Sequence, residues 1–246
     1  MLRAVSLLKA FTDDRPEWGL SDLARASGLN KTTAYRLLSA LESVGMLARA
    51  PRGDSYRLGP EAIALGGRAL RSNNLRAASR AELEALARAT GETVTLEMLV
   101  GFETLILDEI EGQHVVGTNQ TIGTRWPAST TSTGKAILAF LPEAARAAAL
   151  PRRLPTPTDK SIGDREEFLA ELKRVRARGY ATQVEELEQD FTAIGAPIFN
   201  HDGHVVAAVS AGGPSQRLPA ARQREAAPLV VKAAQRISLG LGYRAA

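Results

Sequence analysis

Apolar residues near the start of the chain recur every three or four positions, which is the spacing of an amphipathic helix. The pattern covers residues 3–11, returns over residues 22–27 and runs again from Asn30 to about Val44. Asn30 is a favoured N-cap residue, and Ser21 holds the same position before the second segment. The pattern therefore predicts three short helices in the first part of the chain.

Two short segments follow, residues 47–50 and 55–58, and they enclose the sequence Pro-Arg-Gly-Asp. Proline, glycine and aspartate favour tight turns, so the two segments are predicted to pair as a hairpin. Three helices followed by a hairpin indicate a winged helix-turn-helix, and we assign residues 1–59 to a DNA-binding domain of this type. Residues 60–73 are rich in alanine and leucine at helical spacing, and we assign them to a linker helix.

Helical and strand-like patterns alternate in the rest of the chain, residues 74–246. Strands are predicted over residues 94–100, 104–110, 113–118, 193–199 and 204–211. Helices are predicted over residues 80–90, 135–141, from Pro142 onward, over 165–178 and over 219–240, with Pro228 kinking or splitting the last one. Because helices and strands interleave around one mainly antiparallel sheet, the predicted fold class is α+β.

The third predicted helix has two different faces when its residues are placed about 100° apart. The apolar face, which must pack against the other helices, holds Ala34, Leu37, Leu38, Leu41 and Val44. The opposite face holds Thr32, Arg36, Ser39 and Ser43, flanked by Thr33 and Tyr35. Short hydroxyl side chains let a helix approach a groove closely, and arginine can pair with guanine. We therefore predict that Thr32, Thr33, Tyr35 and Arg36 contact base edges in the major groove.

The distribution of charge supports the same partner. The formal net charge is +4, and residues 24–57 hold six basic residues against two acidic ones. Such an excess favours a polyanion. The further predicted DNA contacts are Arg25, Asn30 and Lys31, Arg52 at the wing tip and Arg57 on the second wing strand. The alternative is a small helical bundle whose polar face binds nothing or binds protein.

Several classes of protein are disfavoured by the residues that the chain lacks. There is no cysteine, which excludes disulfides, thiolate metal sites and cysteine nucleophiles. No apolar run is long enough to span a membrane, and we expect a cytoplasmic protein. His201 and His204 flank a predicted turn, and neither a carboxylate-rich partner nor a third histidine motif is evident, so we expect no metal. No phosphate-binding or nucleophile motif is evident, and we predict no cofactor, no catalytic residue and no enzymatic activity.

The order and spacing of several segments resemble the IclR family of bacterial regulators. In the first domain the likeness lies in residues 3–8, 20–29, 31–38 and 56–59; in the second it lies in residues 134–139, 178–181, 185–186, 193–198, 205–210 and 213–214. The resemblance implies a winged helix-turn-helix joined to a GAF-like effector domain. It also implies dimers through the first domain, often paired into tetramers through the second. The expected partners are a pseudo-palindromic double-stranded DNA operator and a small metabolite, commonly an organic or aromatic acid.

A candidate effector pocket begins at five consecutive hydroxyl residues, 129–133, that precede a predicted helix. Free N–H groups at a helix start suit a carboxylate, although a plain N-cap is the alternative. The resemblance carries Ser132, Thr133 and positions on later strands into this pocket. The complete predicted set is Thr118, Trp126, Ser129, Ser132, Thr133, Gly134, Gln183, Ala193, Ser210 and Gly212.

Three of these positions change what the pocket is expected to bind. Gln183 stands where the family usually has a small acidic or hydroxyl residue, and Ala193 and Gly212 are small. We therefore expect a pocket less charged than in some relatives. Trp126 either forms a wall for an aromatic ligand or packs in the core.

The combined prediction is a sequence-specific regulator, a repressor, whose affinity for DNA changes when a metabolite binds the second domain. The metabolite must favour one arrangement of the linker helices over another. Two alternatives stay open. One is a constitutive DNA-binding protein whose second domain only oligomerises, and the other is a small-molecule enzyme with an accessory DNA-binding domain.

Overall fold

The structure, a computed structural model, describes residues 2–51, 54–71, 73–114 and 121–244. The chain divides into two compact units, residues 1–73 and 74–246. Among the described residues, no helix is both long enough and apolar enough to cross a membrane.

The first unit combines four helices with a small antiparallel sheet among its described residues. In chain order the elements are α1 (Leu2–Leu8), β1 (Trp18–Gly19), α2 (Leu20–Ala26), α3 (Lys31–Ser43), β2 (Leu47–Arg49), β3 (Ser55–Leu58) and α4 (Pro60–Arg71). The strands lie in the order β1-β3-β2. The helices and the hairpin agree with the sequence pattern, whereas β1 was not predicted because two residues are too few to show an alternation.

The two helix starts that were predicted from N-cap residues have opposite outcomes. Asn30 caps α3, because its Oδ1 accepts a hydrogen bond of 2.8 Å from the backbone N–H of Thr33. The prediction for Ser21 is wrong, since α2 begins at Leu20 without a side-chain cap. The physical reason is the pairing of Trp18 with Tyr56 in the sheet, which brings the chain directly from β1 into α2.

A compact apolar core joins α1, α2 and α3 to the hairpin. Its buried members are Leu7, Phe11, Leu23, Leu38, Leu47 and Tyr56. Ala34 and Leu38 of α3 are fully buried, in agreement with the predicted apolar face. Val44 is not, since 61% of its surface is exposed. Helix α3 ends at Ser43 and Val44 is its C-cap, so its side chain no longer follows the helical period.

The second unit is built on one six-stranded antiparallel sheet. Its elements are α5 (Asn74–Thr90), β4 (Thr93–Val100), β5 (Glu103–Ile110), β6 (Arg125–Pro127), α6 (Ser132–Phe140), α7 (Glu143–Ala149), α8 (Arg165–Arg178), β7 (Ala181–Val184), β8 (Phe191–Phe199), β9 (Val205–Pro214) and α9 (Ala220–Gly240). The strand order is β6-β5-β4-β9-β8-β7. Together with the helical first unit, this sheet confirms the predicted α+β class.

The two faces of the large sheet carry different helices. Val94 and Leu96 of β4 belong to a core with α5 and α9, whereas Ala208 of β9 belongs to a second core with α6 and α8. Thr95 and Glu97 alternate with the first pair and so lie on the α6 side. Helix α6 reaches the sheet closely because of Gly195, where an added Cβ would lie 2.8 Å from the carbonyl carbon of Ser132.

Three predictions for the second unit need correction. The strand expected over residues 113–118 is absent at Gln113 and His114, and its other residues lie outside the described part of the chain. Helix α9 is continuous through Pro228 and is not split. Helix α6 begins at Ser132 with Thr131 as its N-cap, so the last two hydroxyl residues of the run lie inside the helix.

Candidate functional site

The outward face of α3 carries the side chains that the sequence indicated for base contact. Thr32, Tyr35 and Arg36 are exposed, and Thr33 is half-buried beside its bond to Asn30. Tyr35 keeps 52% of its surface exposed. Burial of Ala34 and Leu38 fixes the rotation of the helix, so this polar face is held toward solvent.

The hairpin is held against α3 by Arg49. Its Nε lies 3.2 Å from Glu42 Oε1 of α3, and its guanidinium lies 4.1 Å from the ring centroid of Tyr56. Burial raises the pKa of the Tyr56 phenol. Arg57 on the same strand is exposed. These contacts fix the position of the wing relative to the exposed face of α3.

The remaining basic residues of this surface are distributed around the start of α3. Lys31 and Arg25 are exposed, and Arg25 lies 3.3 Å from Asp22. Arg52 lies outside the described residues. A groove beside the cap is lined by Arg3 and Ser6 of α1 together with Asn30 and Thr33 among others. Sequence reasoning missed Arg3 and Ser6, although a basic and a hydroxyl residue three positions apart on one helix were visible.

A narrow cavity in the second unit lies between the start of α6 and the sheet. The residues that line it are Glu97, Trp126, Thr131, Ser132, Thr133, Gln183, Leu187, Phe191, Ala193 and Ser210. The strand pairing of Gln183 with Ala193 and of Ser210 with Thr95 brings these positions together across four strands. As it stands the cavity has room for about one water molecule.

Glu97 is the centre of a buried hydrogen-bond network in this cavity. Its Oε1 accepts a bond of 2.7 Å from the Thr95 hydroxyl, and its Oε2 accepts one of 2.7 Å from the Thr133 hydroxyl. Thr95 Oγ1 in turn lies 2.8 Å from Ser210 Oγ. Glu97 is only 4% exposed, so these bonds replace the water that a carboxylate would otherwise keep.

The segment after β7 covers one side of the cavity and is held by its own contacts. The Oε1 of Gln183 accepts a 3.1 Å bond from the backbone N–H of Glu186. Lys135 of α6 reaches Glu186 with an Nζ–Oε1 distance of 2.6 Å, and both side chains are largely buried. Burial lowers the pKa of Lys135 and raises the pKa of Glu186. The segment therefore depends on a pair of charges that have lost most of their water.

Comparison with known families accounts for both units. Residues 2–51 match the IclR helix-turn-helix domain, and residues 67–239 match the C-terminal domain of the bacterial transcriptional regulator IclR. The chain belongs to the IclR family of bacterial transcriptional regulators. The resemblance that the sequence predicted is thus confirmed, and DNA binding in the control of transcription follows from membership of this family.

Individual IclR-family proteins resemble the chain over its whole length. The HTH-type transcriptional regulator XynR of Escherichia coli is 31% identical to this chain, in an alignment that covers 99% of this chain and 97% of XynR. The crystal structure of an IclR transcriptional regulator from Silicibacter is 30% identical with a TM-score of 0.87, covering 100% of this chain and 97% of that one. An IclR homologue from Microbacterium hydrocarbonoxydans, solved in complex with 4-hydroxybenzoate, is 27% identical with a TM-score of 0.82 and covers 97% of both chains.

Six of the residues predicted for the effector pocket of this IclR-family chain line the cavity: Trp126, Ser132, Thr133, Gln183, Ala193 and Ser210. Three others are buried beside it. At Gly134 a Cβ atom would collide with the carbonyl oxygen of Ala128, and at Gly212 it would lie 2.9 Å from Ala193 Cβ. Both glycines therefore allow close packing. Ser129 is buried, and its hydroxyl has no partner among the described residues. Thr118 lies outside the described residues.

Sequence reasoning missed three residues that line the cavity, Glu97, Leu187 and Phe191, and left a fourth, Thr131, out of the predicted set although it belongs to the hydroxyl run. Glu97 matters most, because it places a carboxylate in a pocket for which the sequence suggested little charge. A signal for it was present. Thr95 and Glu97 form the polar side of an otherwise apolar alternation in β4, and polar residues on a buried strand need partners.

Proposed function

We propose that the protein is a ligand-responsive repressor that reads DNA with α3 and binds a small metabolite in the cavity beside α6. The observation that carries the proposal is the exposed, uncommitted face of Thr32, Tyr35 and Arg36 on a helix whose other face is buried. A solvent-exposed helix face with short hydroxyl side chains and one arginine can approach the major groove closely and contact base edges there.

The DNA contacts are proposed in two groups. Thr32, Thr33, Tyr35 and Arg36 contact base edges, and the remaining predicted residues contact phosphates: Arg25, Asn30, Lys31, Arg52 and Arg57. The exposure of Lys31, Arg25 and Arg57 supports the second group. Their contribution is electrostatic and therefore decreases with added salt.

The effector is proposed to be an organic or aromatic acid. The 4-hydroxybenzoate in the Microbacterium homologue supports this class. Because the cavity has room for about one water, an effector must displace side chains such as Leu187 on binding. The protein then has two conformations, with these side chains in place or displaced, and the effector favours the second because it binds only that one.

Self-association is proposed through the first unit, as a dimer or as a tetramer of paired dimers. Helices α1 and α4 expose large apolar side chains, among them Leu2 at 88% and Ile63 at 76%. Such exposure is typical of an interface. A two-fold dimer would match a pseudo-palindromic operator with half-sites about one helical turn apart. We further propose that the protein acts in the cytoplasm and is not an enzyme, as its relatives are transcriptional regulators.

The test of DNA reading is a titration of wild type, Arg36→Ala and Arg88→Ala on the promoter of its own gene and on unrelated DNA, at two salt concentrations. Arg88 is an exposed arginine of α5 and serves as the charge-matched control. Loss of a base-reading arginine is expected to cost about 1–3 kcal/mol of binding free energy and to reduce the difference in affinity between the promoter and unrelated DNA. Equal behaviour of both variants on a preferred promoter would reject the role of Arg36.

A second candidate is a constitutive regulator, favoured by the small size of the cavity, which has room for about one water molecule. It predicts that no metabolite changes the affinity for DNA. A thermal-shift screen of organic and aromatic acids, followed by DNA titration with each compound that stabilises the protein, separates the two candidates.

A further inference from the structure

The wall of the cavity formed by β4, β9 and the start of α6 is a chain of hydrogen bonds that contains one carboxylate. The order is Ser210, Thr95, Glu97 and Thr133, with oxygen–oxygen distances of 2.8, 2.7 and 2.7 Å. All four side chains are at most 5% exposed. The hydrogen atoms of this chain can therefore be assigned by counting donors.

Each hydroxyl has one proton to donate, and a carboxylate has none. Thr95 and Thr133 both donate to Glu97. Since the proton of Thr95 is committed, the bond to Ser210 requires that Ser210 donate to Thr95. All three hydroxyl protons are thus used inside the network. What the network has left for a molecule in the cavity is only lone pairs, on the hydroxyl oxygens and on the carboxylate.

Glu97 is the only charged residue among the described residues that line the cavity. Thr131 and Ser132, which also line it, each bring a hydroxyl proton that can be donated. The Gln183 side chain already accepts from Glu186 N and donates to Phe191 O at 3.4 Å. Trp126 holds a buried indole N–H that has no acceptor among the described residues. The cavity therefore combines the acceptor lone pairs around one carboxylate with donors on Trp126, Thr131 and Ser132.

We propose that Glu97 determines the specificity of the effector pocket, and that the effector is an organic compound with an O–H or ammonium donor that binds this carboxylate. The inference rests on the proposed function, because it concerns what the same cavity binds. A molecule without a donor would place its own lone pairs against the remaining lone pairs of the carboxylate and would gain no hydrogen bond from Glu97. An acceptor on the same molecule, such as a carboxylate, suits the N–H of Trp126.

The test compares matched compounds that differ in one donor. The pairs are 4-hydroxybenzoate with benzoate and lactate with propionate, and alanine replaces lactate to separate an ammonium from a hydroxyl. Binding is measured by calorimetry and thermal shift on the full chain, and DNA release is measured in parallel. In wild type, the donor-bearing member of at least one pair is expected to bind about 10-fold or more tightly than its partner.

Two variants assign this preference to the carboxylate. Glu97→Gln, which replaces one acceptor oxygen with a donor, is expected to reduce the ratio within the pair. Glu92→Gln is the matched control, because Glu92 is also 4% exposed but is paired with Arg217, outside the cavity. It is expected to keep the ratio. Should Glu97→Gln fail to fold, Thr133→Val removes one internal donor, keeps Glu97, and is expected to retain the preference.

The outcomes separate the inference from the proposed function. If benzoate or propionate binds as well as its partner and Glu97→Gln leaves the ratio unchanged, the role of Glu97 is rejected while ligand binding stands. The same holds if a metabolite extract releases DNA and mass spectrometry identifies a retained compound without a donor. If neither the compounds nor the extract changes DNA binding, the ligand response itself fails, and the inference fails with it.

Discussion

Removal of the Lys135 ammonium is the perturbation with the largest predicted effect on stability. Its side chain is 1% exposed and lies 2.6 Å from Glu186, which is 11% exposed. Lys135→Met keeps the length of the side chain but leaves the Glu186 carboxylate buried without its counter-charge. Breaking a buried ion pair from one side typically costs about 3–5 kcal/mol.

In thermal terms, this cost corresponds to a loss of about 10 °C in Tm for a domain of this size. The loss also depends on pH. Burial already raises the pKa of Glu186, and the Lys135 charge opposes that rise. Without the lysine the folded-state pKa lies further above the unfolded value, so the variant keeps its stability below the unfolded pKa and loses it as the pH rises.

The assay is thermal and urea unfolding of wild type, Lys135→Met, Glu186→Gln and the double variant, at about pH 5 and about pH 8. The chain supplies a matched control in Lys160, which pairs with the adjacent Glu185 but is 52% exposed. Lys160→Met is expected to leave the melting temperature nearly unchanged, since exposed pairs contribute little.

Two results would refute the reasoning. The first is a double variant no more stable than Lys135→Met, because neutralising both partners should restore part of the loss. The second is a Lys135→Met variant that loses as little stability as Lys160→Met, since burial is the only marked difference between the two pairs.

Two further predictions concern other parts of the chain. Asn30→Ala removes the cap of α3 and should lower the free energy of unfolding of the first unit by about 1 kcal/mol, whereas Asn30→Ser should keep most of that stability. Urea unfolding measures both variants, and equal losses of stability would contradict the role of the cap. Burial and the nearby Glu111 raise the pKa of Glu109 to about 7, from 4.5. The stability that protonated Glu109 contributes is therefore lost as the pH rises from its unfolded to its folded pKa. Glu109→Gln should make the midpoint of urea unfolding depend less on pH between about pH 5 and about pH 8, and an unchanged pH dependence would exclude the raised pKa.

The sequence was sufficient for several features that depend on neighbours along the chain. Asn30 caps α3 through a residue three positions away, and the apolar period of α3 buries Ala34 and Leu38. It was insufficient where a distant segment decides. Ser21 does not cap α2 because Trp18 pairs with Tyr56, thirty-eight positions further along.

The same distinction holds for the cavity. The hydroxyl run before Gly134 is a local signal, and together with the family resemblance it predicted Ser132 and Thr133. One of the two partners of Glu97, Thr133, comes from a helix at a sequence separation of 36. Leu187 and Phe191 reach the cavity only through the course of the chain between β7 and β8. Period and composition contain no information on such placements.

The small size of the cavity also has a consequence for the rate at which a ligand binds. A molecule larger than water fits beside Glu97 only after Leu187, Trp126 or their neighbours have moved, so the rate of binding is limited by the rate of that movement. At high metabolite concentration the observed rate of capture should stop increasing. A regulator with this property responds to the metabolite concentration averaged over many such movements. A brief rise in that concentration leaves the occupancy of the promoter unchanged.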